Sequence, residues 1–136
     1  MKKQLTIEFP LPPREVSANA RPAWRRKAAA VKGYRAVCAM CAVNACAGVI
    51  RPIPTLATMH LHFYLGPSRQ KGLYRPRDSD NARYSAKALQ DGIVDSCVLR
   101  GDSAKYLKMG DTLLLTTKEF HKGKAAVVAI LEWDES

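Results

Sequence analysis

Two aspartates, Asp78 and Asp80, stand two residues apart in the stretch YRPRDSDNARYSAKALQDGI, residues 74–93. They close the most basic part of the chain, since twelve Lys and Arg lie from Arg14 to Arg77 against a single acid, Glu15. Carboxylates at this spacing, where a loop enters a helix, supply hard oxygen ligands to Mg²⁺ or Mn²⁺. Mg²⁺ takes one or two carboxylates and completes its shell with water and substrate phosphate. A cation held there lowers the pKa of a bound water and neutralises phosphoryl oxygens, and a nearby lysine stabilises the developing charge. The same D-x-D pair also serves as a turn residue and a helix N-cap, and spacing alone leaves both readings open.

The residues after the pair must form the element that positions them. A helix from about Asn81 to Ser96, capped by Asp80 or Ser79, puts Ala82, Ala86, Leu89 and Ile93 on one apolar stripe. At 100° per residue Lys87 and Asp91 then project within about 20° of the Asp80 direction. Lys87 lies about 10 Å along the axis from Asp80 and is expected to reach back towards it, with Asp91 one turn further on as its ion-pair partner.

The rest of the chain predicts the supporting frame. QLTIEF alternates apolar and polar residues and meets PLPP, which suits a half-buried strand ended by proline. From about Pro22 to Ala47 an alanine-rich run with a basic first half predicts a long helix ended near Gly48. In TLATMHLHFYL, Ala57, Met59, Leu61, Phe63 and Leu65 fall on one face and Leu56, Thr58, His60, His62 and Tyr64 on the other, a strand pattern. GPSRQKGLYRPR reads as a loop. GDSAKYLKMGDTLLLTTKEF and GKAAVVAILEW read as strands joined by HKG as a hairpin, and EWDES as a solvated end. Strands before, between and after two helices predict one small α/β (α+β) domain over residues 1–136. Its mixed sheet would have about four or five strands, with both main helices on one side.

Composition narrows the function. The chain has 136 residues, 47% of them hydrophobic, enough for a core, and no apolar run long enough to span a bilayer. A cytosolic protein is expected. Cys38, Cys41 and Cys46 sit among alanines and, with Cys97, read as thiols packed in a reducing compartment. A zinc site with His60 and His62 lacks a second closely spaced ligand pair. Twenty-two Lys and Arg against twelve Asp and Glu leave a net charge of +10, which points to a polyanion partner bound in a salt-sensitive way.

The string D-x-D-N-x5-K-x3-D-G-x9-D, here Asp78, Asp80, Asn81, Lys87, Asp91, Gly92 and Asp102, resembles the RusA-type Holliday junction resolvases, particularly their phage-borne branch. Upstream, Pro-Pro followed by Asn19, Arg21, Trp24 and a basic helix with Lys32 and Arg35 is similar to the amino-terminal pattern of that branch. The resemblance covers roughly residues 5 to 132. It implies a homodimeric, metal-dependent endodeoxyribonuclease of DNA recombination and repair, in a bacterial cell and phage- or prophage-encoded. Such an enzyme cuts two strands of a four-way junction symmetrically with Mg²⁺, or Mn²⁺ as substitute. By position, Asp78, Asp80 and Asp102 would be the metal carboxylates and Lys87 the active-site lysine. The third acidic position of the family is often a pair of acids, whereas Gly101 precedes Asp102 here. Without the resemblance, RGDSAK would serve as an ordinary loop into a strand.

Arg21, Arg25, Arg26, Lys27, Lys32 and Arg35 are candidate DNA-backbone contacts, as are Arg75 and Arg77 beside the D-x-D. Trp24 reads as a packing anchor, or as a platform for an opened base. Two rivals remain: a non-catalytic module for branched or single-stranded DNA, and a structural, ribosome-associated protein.

Overall fold

The computed structural model describes residues 2–13, 16, 24–46, 52–65, 82–83, 86–116 and 125–134. They form a mixed sheet with helices on one side: β1 (Lys2–Phe9), α1 (Trp24–Ala45), β2 (Ala57–Leu65), α2 (Lys87–Asp95), β3 (Leu107–Thr116) and β4 (Ala126–Asp134).

The strands follow their side-chain periods. In β1, Leu5, Ile7 and Phe9 are buried, and the strand stops before Pro10, whose carbonyl accepts a 2.7 Å bond from the Tyr34 hydroxyl of α1. β2 alternates without a break, with Ala57, Met59, Leu61, Phe63 and Leu65 inward and Thr58, His60, His62 and Tyr64 half-buried on the other face. The sheet order is β1-β4-β2-β3, antiparallel except for the parallel β2–β3 pair. That parallel pair requires a crossover, and α2 lies within it.

The expected hairpin between the last two strands does not form, because β3 and β4 are not neighbours. From Ala126 to Ala129 every residue of β4 is buried, and Leu131 and Trp133 follow inward. A strand so apolar gains most between two others, so β4 inserts between β1 and β2 and leaves β3 at the edge. For the same reason Glu132, Trp133 and Asp134 continue the strand instead of forming a solvated tail.

β3 carries one extra residue, since Met59 pairs with Met109 but Leu61 with Thr112. The His60 ring fills this bulge. A Cβ on Gly110 would lie 2.4 Å from His60 Nδ1, so only glycine leaves room for the imidazole, which accepts a 3.0 Å bond from the Asp111 N–H. With Nδ1 accepting, Nε2 carries the proton towards Glu132 Oε1 at 3.2 Å, and Lys2 lies 3.6 Å from the other Glu132 oxygen.

The α1 face turned to the core is narrow, consisting of Tyr34, Cys38 and Ala42 at steps of four. It crosses α2 at Gly92, where an added Cβ would lie 2.7 Å from the Arg35 carbonyl oxygen and 2.8 Å from Cys38 Cβ. Cys38 and Cys46 are buried core thiols, and burial pushes the Cys38 thiol up to about 12. The expected α2 stripe is buried throughout at Ala82, Ala86, Leu89 and Ile93. Ala82 and Arg83 are helical as expected, Ala86 is a turn residue at the N-cap of α2 that makes no side-chain cap bond, and the expected caps Ser79 and Asp80 lie outside the described residues. Ser96 caps the end of α2, and Cys97 beyond it takes a left-handed conformation at φ 67°.

Candidate functional site

Lys87 opens α2, and its side chain runs towards the C-terminal end of the helix. Its ammonium donates to Asp102 Oδ2 at 2.8 Å and lies 3.1 Å from Asp91 Oδ1, one turn on. The ion pair with Asp91 matches the spacing, and the expected reach towards Asp80 concerns a residue outside the described ones. Asp78, Asp80 and Asn81 lie outside the described residues, as do Arg21, Arg75 and Arg77.

Asp102 sits in the turn that returns the chain from α2 to β3. Bonds from the Tyr106 and Leu107 N–H groups to the Ser103 carbonyl, 2.9 and 3.0 Å, close that turn. The Ile53 N–H to Val98 carbonyl bond (2.8 Å) and the Ala57 N–H to Tyr106 carbonyl bond (3.0 Å) fasten it to the segment entering β2. A Cβ at Gly101 would lie 3.3 Å from the Tyr106 ring, so a second acid beside Asp102 would press on that ring.

The electrostatics follow from these contacts. Hydrogen bonds to Asp102 and then Asp91 raise the Lys87 pKa, so the amine stays protonated, and Lys87 in turn holds the Asp102 carboxyl below its usual value. The pair is open to solvent, with the Lys87 side chain 62% and Asp102 43% exposed, so it contributes under about 1 kcal/mol to stability. Its value is positional.

Asp91 also links the site to α1. Its Oδ2 is 3.9 Å from Arg35 Nη1, while Arg35 grips Asp95 through Nε at 2.5 Å and Nη2 at 2.8 Å. Arg35 raises no question of charge state, and its bonds hold the Asp95 carboxyl below the usual carboxylate range. Its guanidinium therefore spans α1 and α2 beside the Gly92 crossing, which leaves less of its fork for a DNA phosphate than its place in a basic helix suggested. The i, i+4 spacing of Asp91 and Asp95 was a visible signal for this clamp.

Arg25, Arg26 and Lys32 are exposed on α1, and Lys27 is half-buried. They form no ion pair among the described residues, so their charge faces outward. Trp24 is not a packing anchor: it is 74% exposed, with the Arg25 guanidinium 5.4 Å from its ring centre. The His60–Glu132 contact, on the sheet face opposite the helices, had no signal in the sequence.

Asp102 offers hard, solvent-accessible carboxylate oxygens that already hold one cation, donor chemistry that fits Mg²⁺ or Mn²⁺. Among the described residues no group of three or more metal-ligating side chains occurs, so a full ligand set would have to draw on Asp78 and Asp80. No helix among the described residues is long and apolar enough to cross a membrane. Compared with known protein families and with curated proteins, the chain matches none.

Proposed function

We propose that the protein is a metal-dependent, structure-selective endodeoxyribonuclease that resolves four-way DNA junctions by paired symmetric nicks, acting in DNA recombination and repair in the bacterial cytoplasm. The observation that carries the reading is the meeting of Lys87 and Asp102 at 2.8 Å, fifteen residues apart, with Asp91 bracing the same ammonium. These are positions of the motif that resembles the RusA-type resolvases.

A divalent ion held by Asp78, Asp80 and Asp102 would supply Lewis acidity and an activated water. Lys87 provides a protonated, solvent-accessible amine that can meet the non-bridging phosphate oxygens as charge builds up on them. Asp91 limits where that amine can go. Arg25, Arg26, Lys27 and Lys32 present outward positive charge that holds the DNA backbone in register, with Arg21, Arg75 and Arg77 in the same role. A homodimer supplies the two sites related by a two-fold axis that symmetric cutting requires.

The test incubates the protein with a labelled four-way junction and a matching duplex in Mg²⁺, Mn²⁺ or EDTA, beside Asp80→Asn and Asp102→Asn. Paired nicks in the junction alone, absent in EDTA and in both variants, are expected. Binding without nicks under every condition would leave the second reading, a branched- or single-stranded-DNA-binding module. Trp24 favours it, because an exposed indole beside an arginine is a stacking platform for an unpaired base.

A further inference from the structure

Asp102 holds a cation in this structure, and that cation is Lys87. We propose that the Lys87 ammonium is the resident counter-ion of Asp102 and competes with a divalent cation for that carboxylate. Lys87 is then released towards substrate only when such a cation is bound. The inference rests on the nuclease reading for the cation-binding role of Asp102.

The two contacts of Lys87 are unequal in what surrounds them. Asp91 is only 25% exposed and has a second positive neighbour, Arg35, at 3.9 Å. Asp102 has no positive partner other than Lys87 among the described residues. When Lys87 leaves Asp102, its amine stays tethered one helical turn away on Asp91, and Asp102 is left needing a new cation. The Lys87–Asp102 bond is thus the exchangeable half of the bridge.

Joint occupancy is disfavoured by charge. Mg²⁺ binds carboxylate oxygen at about 2.0–2.1 Å, so an ammonium 2.8 Å from the same oxygen would face the dication across about 5 Å at most. A short lysine–carboxylate bond and a metal–carboxylate bond at the same Asp102 oxygen therefore oppose one another. The exposure of both side chains makes the exchange easy, since neither is sealed in the protein. The consequence is an ordered site, in which the amine is parked on Asp102 until a cation arrives and afterwards swings within reach of a phosphate.

The experiment titrates Mn²⁺ into the full-length protein at low salt without DNA, following free Mn²⁺ by electron paramagnetic resonance, for wild type, Lys87→Met, Lys87→Arg and Asp102→Asn. Lys87→Met should bind about tenfold more tightly, the effect of removing a unit charge about 5 Å from a dication in a screened, exposed setting. Lys87→Arg, which keeps the charge, should bind like wild type, and Asp102→Asn should bind weakly. In the wild-type protein the Lys87 ¹³Cε resonance should follow the same titration with Mg²⁺, a reading that needs no variant to fold. Equal or weaker binding by Lys87→Met, or a Lys87 resonance unmoved at Mg²⁺ saturation, overturns the exchange while leaving the nuclease reading in place. Wild type and Asp102→Asn binding alike would remove Asp102 as a ligand, and both conclusions would fall.

Discussion

Replacing Gly92 by alanine should destabilise the protein, although alanine is the better helix former. An added methyl would sit 2.7 Å from the Arg35 carbonyl oxygen, 2.8 Å from Cys38 Cβ and 3.0 Å from the Ala39 nitrogen. Two of these are backbone atoms of α1, so relief requires the helices to part by about 0.7 Å at their closest crossing. Overpacking of this kind costs about 1–3 kcal/mol, and alanine's helical preference returns about 0.5–1 kcal/mol of that. The net loss should be about 1–2 kcal/mol, a fall in Tm of about 4–8 °C for a chain of this size. Gly33 provides the internal comparison, because it lies exposed in the middle of α1 with nothing within 4 Å of an added Cβ. There the same change should stabilise by about 0.5–1 kcal/mol. Both variants would be measured by urea denaturation and thermal melting monitored by circular dichroism. If Gly92→Ala were as stable as wild type, the close crossing of α1 and α2 would be refuted, and with it the placement of Arg35 beside Asp91.

Further outcomes follow from named contacts. Asp102 and Asp95 have depressed folded-state pKa values, so their stabilisation is present above the unfolded carboxylate range, about 4, and is lost as pH falls through the folded values. Asp102→Asn should therefore cost a small, constant amount of stability from about pH 5 to 8 and progressively less as the medium is made more acid than that, read from urea midpoints across pH. Gly110→Ala should expel the His60 ring from the bulge and cost about 1–2 kcal/mol. His60→Ala in the same chain should recover part of that loss in a double-mutant cycle, and strict additivity would show that the ring does not fill the bulge. Cys97→Gly should raise stability by about 1 kcal/mol by relieving the left-handed conformation after α2, and a lower melting temperature would contradict that backbone geometry.

The legible parts of the fold were those encoded locally. The strict alternation of β2 gave its two faces residue by residue, and the stripe of Ala82, Ala86, Leu89 and Ile93 is buried as its spacing requires. The ion pair of Lys87 with Asp91 could be read from an i, i+4 spacing. Other features failed to show because partners distant in sequence decide them. β3 and β4 look like a hairpin from the short connection between them, yet the apolar run of β4 is satisfied only between β1 and β2. Arg35 looked like one more basic residue for DNA until α2 placed Asp95 against it. Trp24 looked like an anchor because tryptophan usually buries, but the core side of α1 was already filled by Tyr34, Cys38 and Ala42.

For the site itself, sequence alone supplied the chemistry: carboxylates, a lysine at helical spacing, a large positive charge, and a motif with a family likeness. These are properties of residue type and short spacing, which survive any arrangement of the rest of the chain. Only the tertiary structure decided that Lys87 meets Asp102, that Gly101 packs closely against the Tyr106 ring, and that Asp91 is shared between Lys87 and Arg35. The reason is physical: a side chain's direction and its partner depend on which surfaces are brought together when the sheet and helices bury their apolar faces. That outcome is a property of the whole packed chain, not of any one segment.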